Sequence, residues 1–228
     1  YFSDDHRADL HAYAGSYLQE EIVSEGATRN VPAFSRFLRV AALCNGTIVN
    51  FTNVANDAQV PRTTVYEYFS ILKDTLIIHE LPAWKKSTKR KPISSSKYYF
   101  FDIGVAGFLQ NRTFTPGTPE FGEAFETFLV NELVAWRDYR SGTELTYWRS
   151  TSGFEVDIIL DDHTAVEFKA KEHISPNDLK SLRAINGEGS LKRYFCVCME
   201  QHRRTVDGIV ILPWKEFLAM LWEGELDS

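Results

Sequence analysis

The sequence predicts an α/β (α+β) protein in three parts: an N-terminal helical tail, a winged helix-turn-helix, and a mixed α/β domain. Three observations lead there. Apolar residues recur at helical spacing through 31–74. Two short apolar runs follow, separated by a basic connection. From 120 onward, a helical pattern gives way to three strand-like runs, a helix and further strand-like runs.

The first part, 1–29, carries Tyr13, Tyr17, Leu18 and Ile22 near one helical stripe, ended by "SEGATRN". The second spans 30–110. In "VPAFSRFLRVAALC", Phe34, Phe37, Leu38, Ala41 and Ala42 fall on one face of an amphipathic helix. "NFTNVANDAQV" predicts a short helix with Asn or Thr as N-cap, and Pro61 suits the start of the next, which has Val65, Phe69 and Leu72 inside. Two such helices around a tight turn make a helix-turn-helix. Arg62, Thr63, Thr64, Tyr66 and Glu67 are then its outward candidates.

The strands "LIIHEL" and "KYYFFD" flank "PAWKKSTKRKPISSS", which carries Lys85, Lys86, Lys89, Arg90 and Lys91 beside Trp84. This reads as the wing. A helix fits the major groove and a basic loop sits on phosphates, so Arg62, Thr63, Thr64 and the five wing cations are the candidate nucleic-acid contacts. DNA is the expected partner, with RNA possible. A lysine-rich hairpin also serves as a solvated edge that resists strand pairing. Residues 30–110 hold ten Lys and Arg against five Asp and Glu, in a chain whose total charge is −6. The positive charge is thus concentrated where nucleic acid would bind.

"NRTFTPGTP", 111–119, reads as a linker. The third part, 120–228, opens with Phe121, Phe125, Phe128, Leu129, Leu133 and Trp136 as a helical stripe. "LTYWRS", "FEVDIIL" and "AVEFKA" are strands, and "SPNDLKSLRAI" is a helix with Ser175 as expected N-cap. "RYFCVCM" and "GIVILPW" are later strands.

The charges inside two of these strands need an explanation, because a buried unpaired charge is costly. Side chains alternate along a strand, so Glu167 and Lys169 share a side and Phe168 takes the other. Asp157 lies one hairpin away, and Glu126, flanked by apolar residues on the preceding helix, could reach the same place. A divalent cation would offset the repulsion of the carboxylates and act as a Lewis acid, with Lys169 positioned to orient water or stabilise developing charge. Without a metal, Glu167 and Lys169 would pair with each other or with Arg149.

This constellation resembles the PD-(D/E)XK nuclease superfamily: Asp157 at the acidic position, Glu167-Phe168-Lys169 as E-x-K, and Glu126 as the helix glutamate. "EVD" stands where that family often has proline before the aspartate. The resemblance implies a restriction-endonuclease-like fold and catalytic roles for Glu126, Asp157, Glu167 and Lys169. It also implies Mg²⁺ or Mn²⁺ held by Asp157, Glu167 and the main-chain carbonyl of Phe168. More widely, "YLQEEI", the winged helix, "KYYFFDIGVAGFL", "FGEAFETFLVNEL", "YWRSTSGFEVDIIL" and "VEFKAKE", in this order, resemble the C-terminal half of bacterial and archaeal AAA+ superfamily ATPases. In those an ATPase module precedes, so 1–29 is expected to be its tail and the module itself a partner. No G-x-x-x-x-G-K-[ST] occurs, so ATP is not expected to bind this chain.

The expected activity is metal-dependent phosphodiester hydrolysis, and the alternative is a catalytically silent DNA-binding or protein-interaction module that targets the ATPase. No apolar run reaches the roughly 18–20 residues of a membrane span, so no membrane partner is expected. Cys44, Cys196 and Cys198 lack zinc spacing and are odd in number, which points to reduced thiols and the cytoplasm. The sequence opens without Met or a signal peptide, as a piece of a longer chain would.

Overall fold

The computed structural model describes residues 6–17, 30–140, 142–189 and 191–226. The chain divides into two units, Tyr1–Glu80 with Lys97–Phe114, and Leu81–Ser96 with Thr115–Ser228. No described helix is long and apolar enough to cross a membrane.

In the first unit, α1 (His6–Ala12) runs into a π-helical turn, Tyr13–Tyr17. The rest of the expected tail, 18–29, lies outside the described residues. Asn30 caps α2 (Val31–Leu43), its side chain accepting the Ala33 N–H at 3.2 Å. The predicted stripe of α2, Phe34, Phe37, Leu38, Ala41 and Ala42, is buried. Asn50 caps α3 (Phe51–Ala58) by accepting the N–H groups of Thr52 and Asn53. Gln59 turns left-handed at φ 55°, and Pro61 leads into α4 (Arg62–Asp74). Val65, Phe69 and Leu72 of α4 are buried, and Phe37 meets Phe69 edge-on at 5.3 Å. A two-stranded sheet of β1 (Ile78–Leu81) and β2 (Lys97–Phe100) follows. Asp102 caps α5 (Ile103–Gln110) through the Val105 N–H.

The second unit is built on α6 (Pro119–Arg140), whose inner side includes Phe125, Leu129, Leu133 and Trp136, while Phe121 and Phe128 are half-buried. Its six-stranded sheet has the order β3-β4-β5-β6-β8-β7. The strands are β3 (Leu145–Arg149), β4 (Glu155–Leu160), β5 (Thr164–Lys169), β6 (Arg193–Cys198), β7 (Arg204–Val206) and β8 (Ile209–Pro213). β3, β4 and β5 form an antiparallel meander, β5–β6 and β6–β8 are parallel, and β7 returns antiparallel on β8. α7 (Lys180–Asn186) connects β5 to β6, and α8 (Trp214–Glu223) follows β8. Ser175 is not the cap of α7. Asp178 accepts both its N–H and its hydroxyl, holding a turn that delays the helix to Lys180.

One boundary differs from the sequence expectation. The basic connection between β1 and β2 belongs to the second unit, where it forms a strap along the outer edge of β3. Trp84 N–H donates to the Tyr147 carbonyl (2.6 Å), Tyr147 N–H to that of Pro82 (3.0 Å), Ile93 N–H to that of Arg149 (2.8 Å) and Thr151 N–H to that of Lys91 (3.0 Å). An edge strand presents unpaired main-chain groups, and the strap satisfies them. Trp84 is buried in the core between the sheet and α7, beside Trp148, Leu182 and Ile185.

Candidate metal centre and basic strap

Between Thr146↔Ile159 and Trp148↔Val156, β3 advances two residues and β4 three. The extra residue is a bulge at Asp157–Ile158. Its effect is visible in the core, where Val156 and Ile159 join the same cluster although strict alternation would set them on opposite faces. Bulges re-aim side chains, and this one carries Asp157. The β4–β5 register runs from Leu160↔Thr164 to Ile158↔Val166, and Asp157 and Glu167 are the next residues of the two strands beyond it. Asp157 is buried, and its Oδ2 accepts the Phe168 N–H at 2.8 Å.

Glu167 and Lys169 lie on one side of β5, their carboxylate Oε1 and ammonium Nζ 2.5 Å apart. Phe168 turns to the other side, edge-on to Phe217 at 6.2 Å. Glu167 is buried and its Oε2 meets no hydrogen-bond partner among the described residues. Burial pushes its pKa up to about 7; Lys169 pulls it back, and the charges of Glu126 and Glu155 add to the rise. Burial works against the charge on Lys169, but Glu167 and Asp157 outweigh it and hold the ammonium above its usual range. Glu126 is half-buried on α6. Arg149 does not pair with Glu167 or Lys169; its guanidinium meets Glu155 at 3.0 Å, across the β3–β4 pair. Glu155 was not singled out in the sequence, since its register partner was not legible there.

The donor set is hard oxygen, which suits Mg²⁺ or Mn²⁺. A buried carboxylate oxygen without a partner is what a cation ligand looks like before the cation arrives, so Glu167 fits that role. Among the described residues no three His, Cys, Asp or Glu side chains gather as a metal cage. Two carboxylates completed by water and phosphate oxygens are a usual arrangement for Mg²⁺. The main-chain group of Phe168 that the structure ties to Asp157 is its N–H, not the carbonyl.

The nucleic-acid candidates fall in both units. On α4, Arg62 and Thr63 are exposed and Thr64 half-buried. The Arg62 guanidinium lies over the Tyr66 ring and donates to its hydroxyl at 2.8 Å, and Tyr66 stacks on Phe51 at 4.3 Å. On the strap, three of the five cations meet acceptors of the second unit. Lys86 and the Trp84 indole N–H both meet Asp162. Lys89 Nζ donates to the Gly187 carbonyl. Arg90 donates to Glu188 Oε1 at 3.0 Å and to the Ala184 carbonyl at 2.9 Å, and lies over the Phe154 ring. Lys85 and Lys91 are exposed. As partners of the strap, Asp162 and Glu188 give no signal in the sequence, because Lys86 and Arg90 are 76 and 98 residues away.

Two uncharacterized mycobacterial proteins are similar to the chain, Mb2031c of Mycobacterium bovis and Rv2008c of Mycobacterium tuberculosis. Each is 23% identical over 222 residues, covering 95% of this chain and 50% of the relative. The chain thus spans about half the length of these curated relatives. No solved structure matches. Residues 121–217 match the model of a domain of unknown function, DUF4143. Residues 1–115, just over half of the chain, match that of a domain of unknown function, DUF8612, and the chain belongs to this family.

Proposed function

We propose that the second unit is a Mg²⁺- or Mn²⁺-dependent phosphodiester hydrolase acting on nucleic acid, within the C-terminal part of an AAA+ family ATPase. The observation that carries the reading is Glu167: one oxygen is tied to Lys169, and the other is buried and without a hydrogen-bond partner among the described residues. Glu167 and Asp157 would hold the cation, which when bound supplies a Lewis acid and an activated water. Lys169 fixes the Glu167 rotamer and brings positive charge to the place where a phosphorane-like transition state gains negative charge. The Phe168 N–H fixes Asp157. Glu126 keeps the local potential negative, which favours a cation. The ATPase module would lie in the half of the longer relatives that this chain does not span, and ATP would bind there. Three free cysteines suit a reducing cytoplasm.

Plasmid and oligonucleotide cleavage with Mg²⁺ or Mn²⁺, beside Lys169→Ala and Glu167→Gln, tests this. Metal-dependent nicking that both substitutions abolish is the expected result. One observation favours the second reading, a catalytically silent interaction module: Lys86, Lys89 and Arg90 already meet acceptors within their own unit. Absence of cleavage together with nucleic-acid binding that ignores salt would make that the better account.

A further inference from the structure

We propose that the strap apex, Ser87–Arg90, is a phosphate-binding receptor that Glu188 closes from within. The main-chain N–H groups of Thr88 (3.0 Å) and Lys89 (2.7 Å) converge on Glu188 Oε2, and the Arg90 guanidinium holds Oε1 at 3.0 Å. The Glu188 side chain is wholly shielded from solvent. Successive backbone N–H groups joined by a guanidinium are the donor set of an oxyanion site. Here the carboxylate occupies the place of a phosphate's oxygens.

Charge balance points to an anion stronger than the one in place. The segment from Lys85 to Lys91 carries five cations. Asp162 meets Lys86 and Glu188 meets Arg90. Among the described residues the ammonium groups of Lys85, Lys89 and Lys91 meet no carboxylate, and that of Lys89 leans on the Gly187 carbonyl. A carboxylate brings one negative charge and two oxygens; a phosphate brings more oxygens and, as a monoester or in a row of diesters, more charge. Glu188 also sits between Gly187 and Gly189, just past the end of α7, with Gly189 at φ +73°. Glycine on both sides makes withdrawal of Glu188 a local backbone movement. The ligand class is therefore a phosphate group, from free phosphate or from a nucleic-acid backbone. This inference does not depend on the hydrolase reading.

The test uses the full chain as wild type, Glu188→Ala, Glu188→Gln and Arg90→Ala/Glu188→Ala. Thermal midpoints are measured with sodium phosphate, sodium formate or a short DNA duplex, at ionic strength matched with chloride. Phosphate should raise the midpoint of Glu188→Ala by about 3–6 °C at roughly ten times its dissociation constant. Binding to wild type should be at least about tenfold weaker, and the double variant should not respond. A duplex that binds Glu188→Ala more tightly than phosphate does identifies the backbone as source; the reverse order identifies free phosphate. Should Glu188→Ala fail to fold, the near-isosteric Glu188→Gln carries the same comparison. Formate restoring stability where phosphate does not would reduce Glu188 to a structural clamp and overturn the proposal. So would a phosphate response equal in all four proteins, or absent from the Glu188 variants that fold.

Discussion

The Asp157 carboxylate accepts the backbone N–H of Phe168 at 2.8 Å, so an acidic side chain takes part in the main-chain bonding of the strand beside it. Asp157 is thereby structural as well as a candidate ligand, and the two roles separate by substitution. Asp157→Ala leaves a buried N–H without its acceptor and should cost about 1–3 kcal/mol. Asp157→Asn retains an acceptor and should cost less, yet should lose metal-dependent stabilisation. Denaturant unfolding with and without Mn²⁺ measures both.

Glu167 gives a pH signature. In the unfolded chain its carboxyl ionises in the ordinary carboxylate range, near 4.5, whereas burial makes the folded protein hold the proton up to about 7. Between those values the unfolded state binds fewer protons, so this group lowers stability as pH rises through the window. Unfolding free energies at pH 4.5–7 should flatten in Glu167→Gln. Metal needs the carboxylate, so the Mn²⁺ stabilisation of wild type should grow as pH rises through 7.

Lys169→Met leaves Glu167 buried without its counter-charge. Breaking a buried pair from one side costs roughly 3–5 kcal/mol, and the 29% exposure of the Lys169 side chain puts this case at or below the lower end. Glu167→Gln in the same chain should recover part of the loss. A double-mutant cycle by chemical denaturation reads the coupling.

Trp84→Ala removes a buried indole and its bond to Asp162, and should destabilise the second unit by roughly 3–5 kcal/mol. A fragment of residues 115–228 lacks the strap and bares the β3 edge. It should associate in solution, whereas residues 81–228 should not; light scattering distinguishes them.

Much of this architecture is legible in the sequence. The stripes of α2, α4 and α6 follow from 3.6-residue spacing, and the shared side of Glu167 and Lys169 from simple alternation. The bulge at Asp157 is not, because one extra residue in a strand leaves no trace in composition. β7 escapes for another reason: Arg204-Thr205-Val206 is short, its Arg204 and Thr205 are polar and exposed, and the half-buried Val206 alone is too little apolar signal for a core strand. The carboxylates that meet the strap are hidden in the sequence, because basic charge beside a hairpin looks the same whether its counter-ions are phosphates or distant carboxylates. The start of α7 is hidden because Asp178 competes for Ser175, the residue that the sequence offers as cap.

The strap also orders events during synthesis. Residues 81–96 leave the ribosome before the strand they cover and well before Glu188. At roughly 5–20 residues per second, on the order of ten seconds pass between Arg90 and its acceptor. Through that interval β1 and β2 are free to pair while the loop between them stays open, with Arg90 and the Thr88 and Lys89 N–H groups unmatched. Fastening that loop is therefore among the last steps of folding. A ribosome-bound chain stalled before residue 188 should present to proteases, as an exposed Lys- and Arg-rich site, a segment that the finished protein protects.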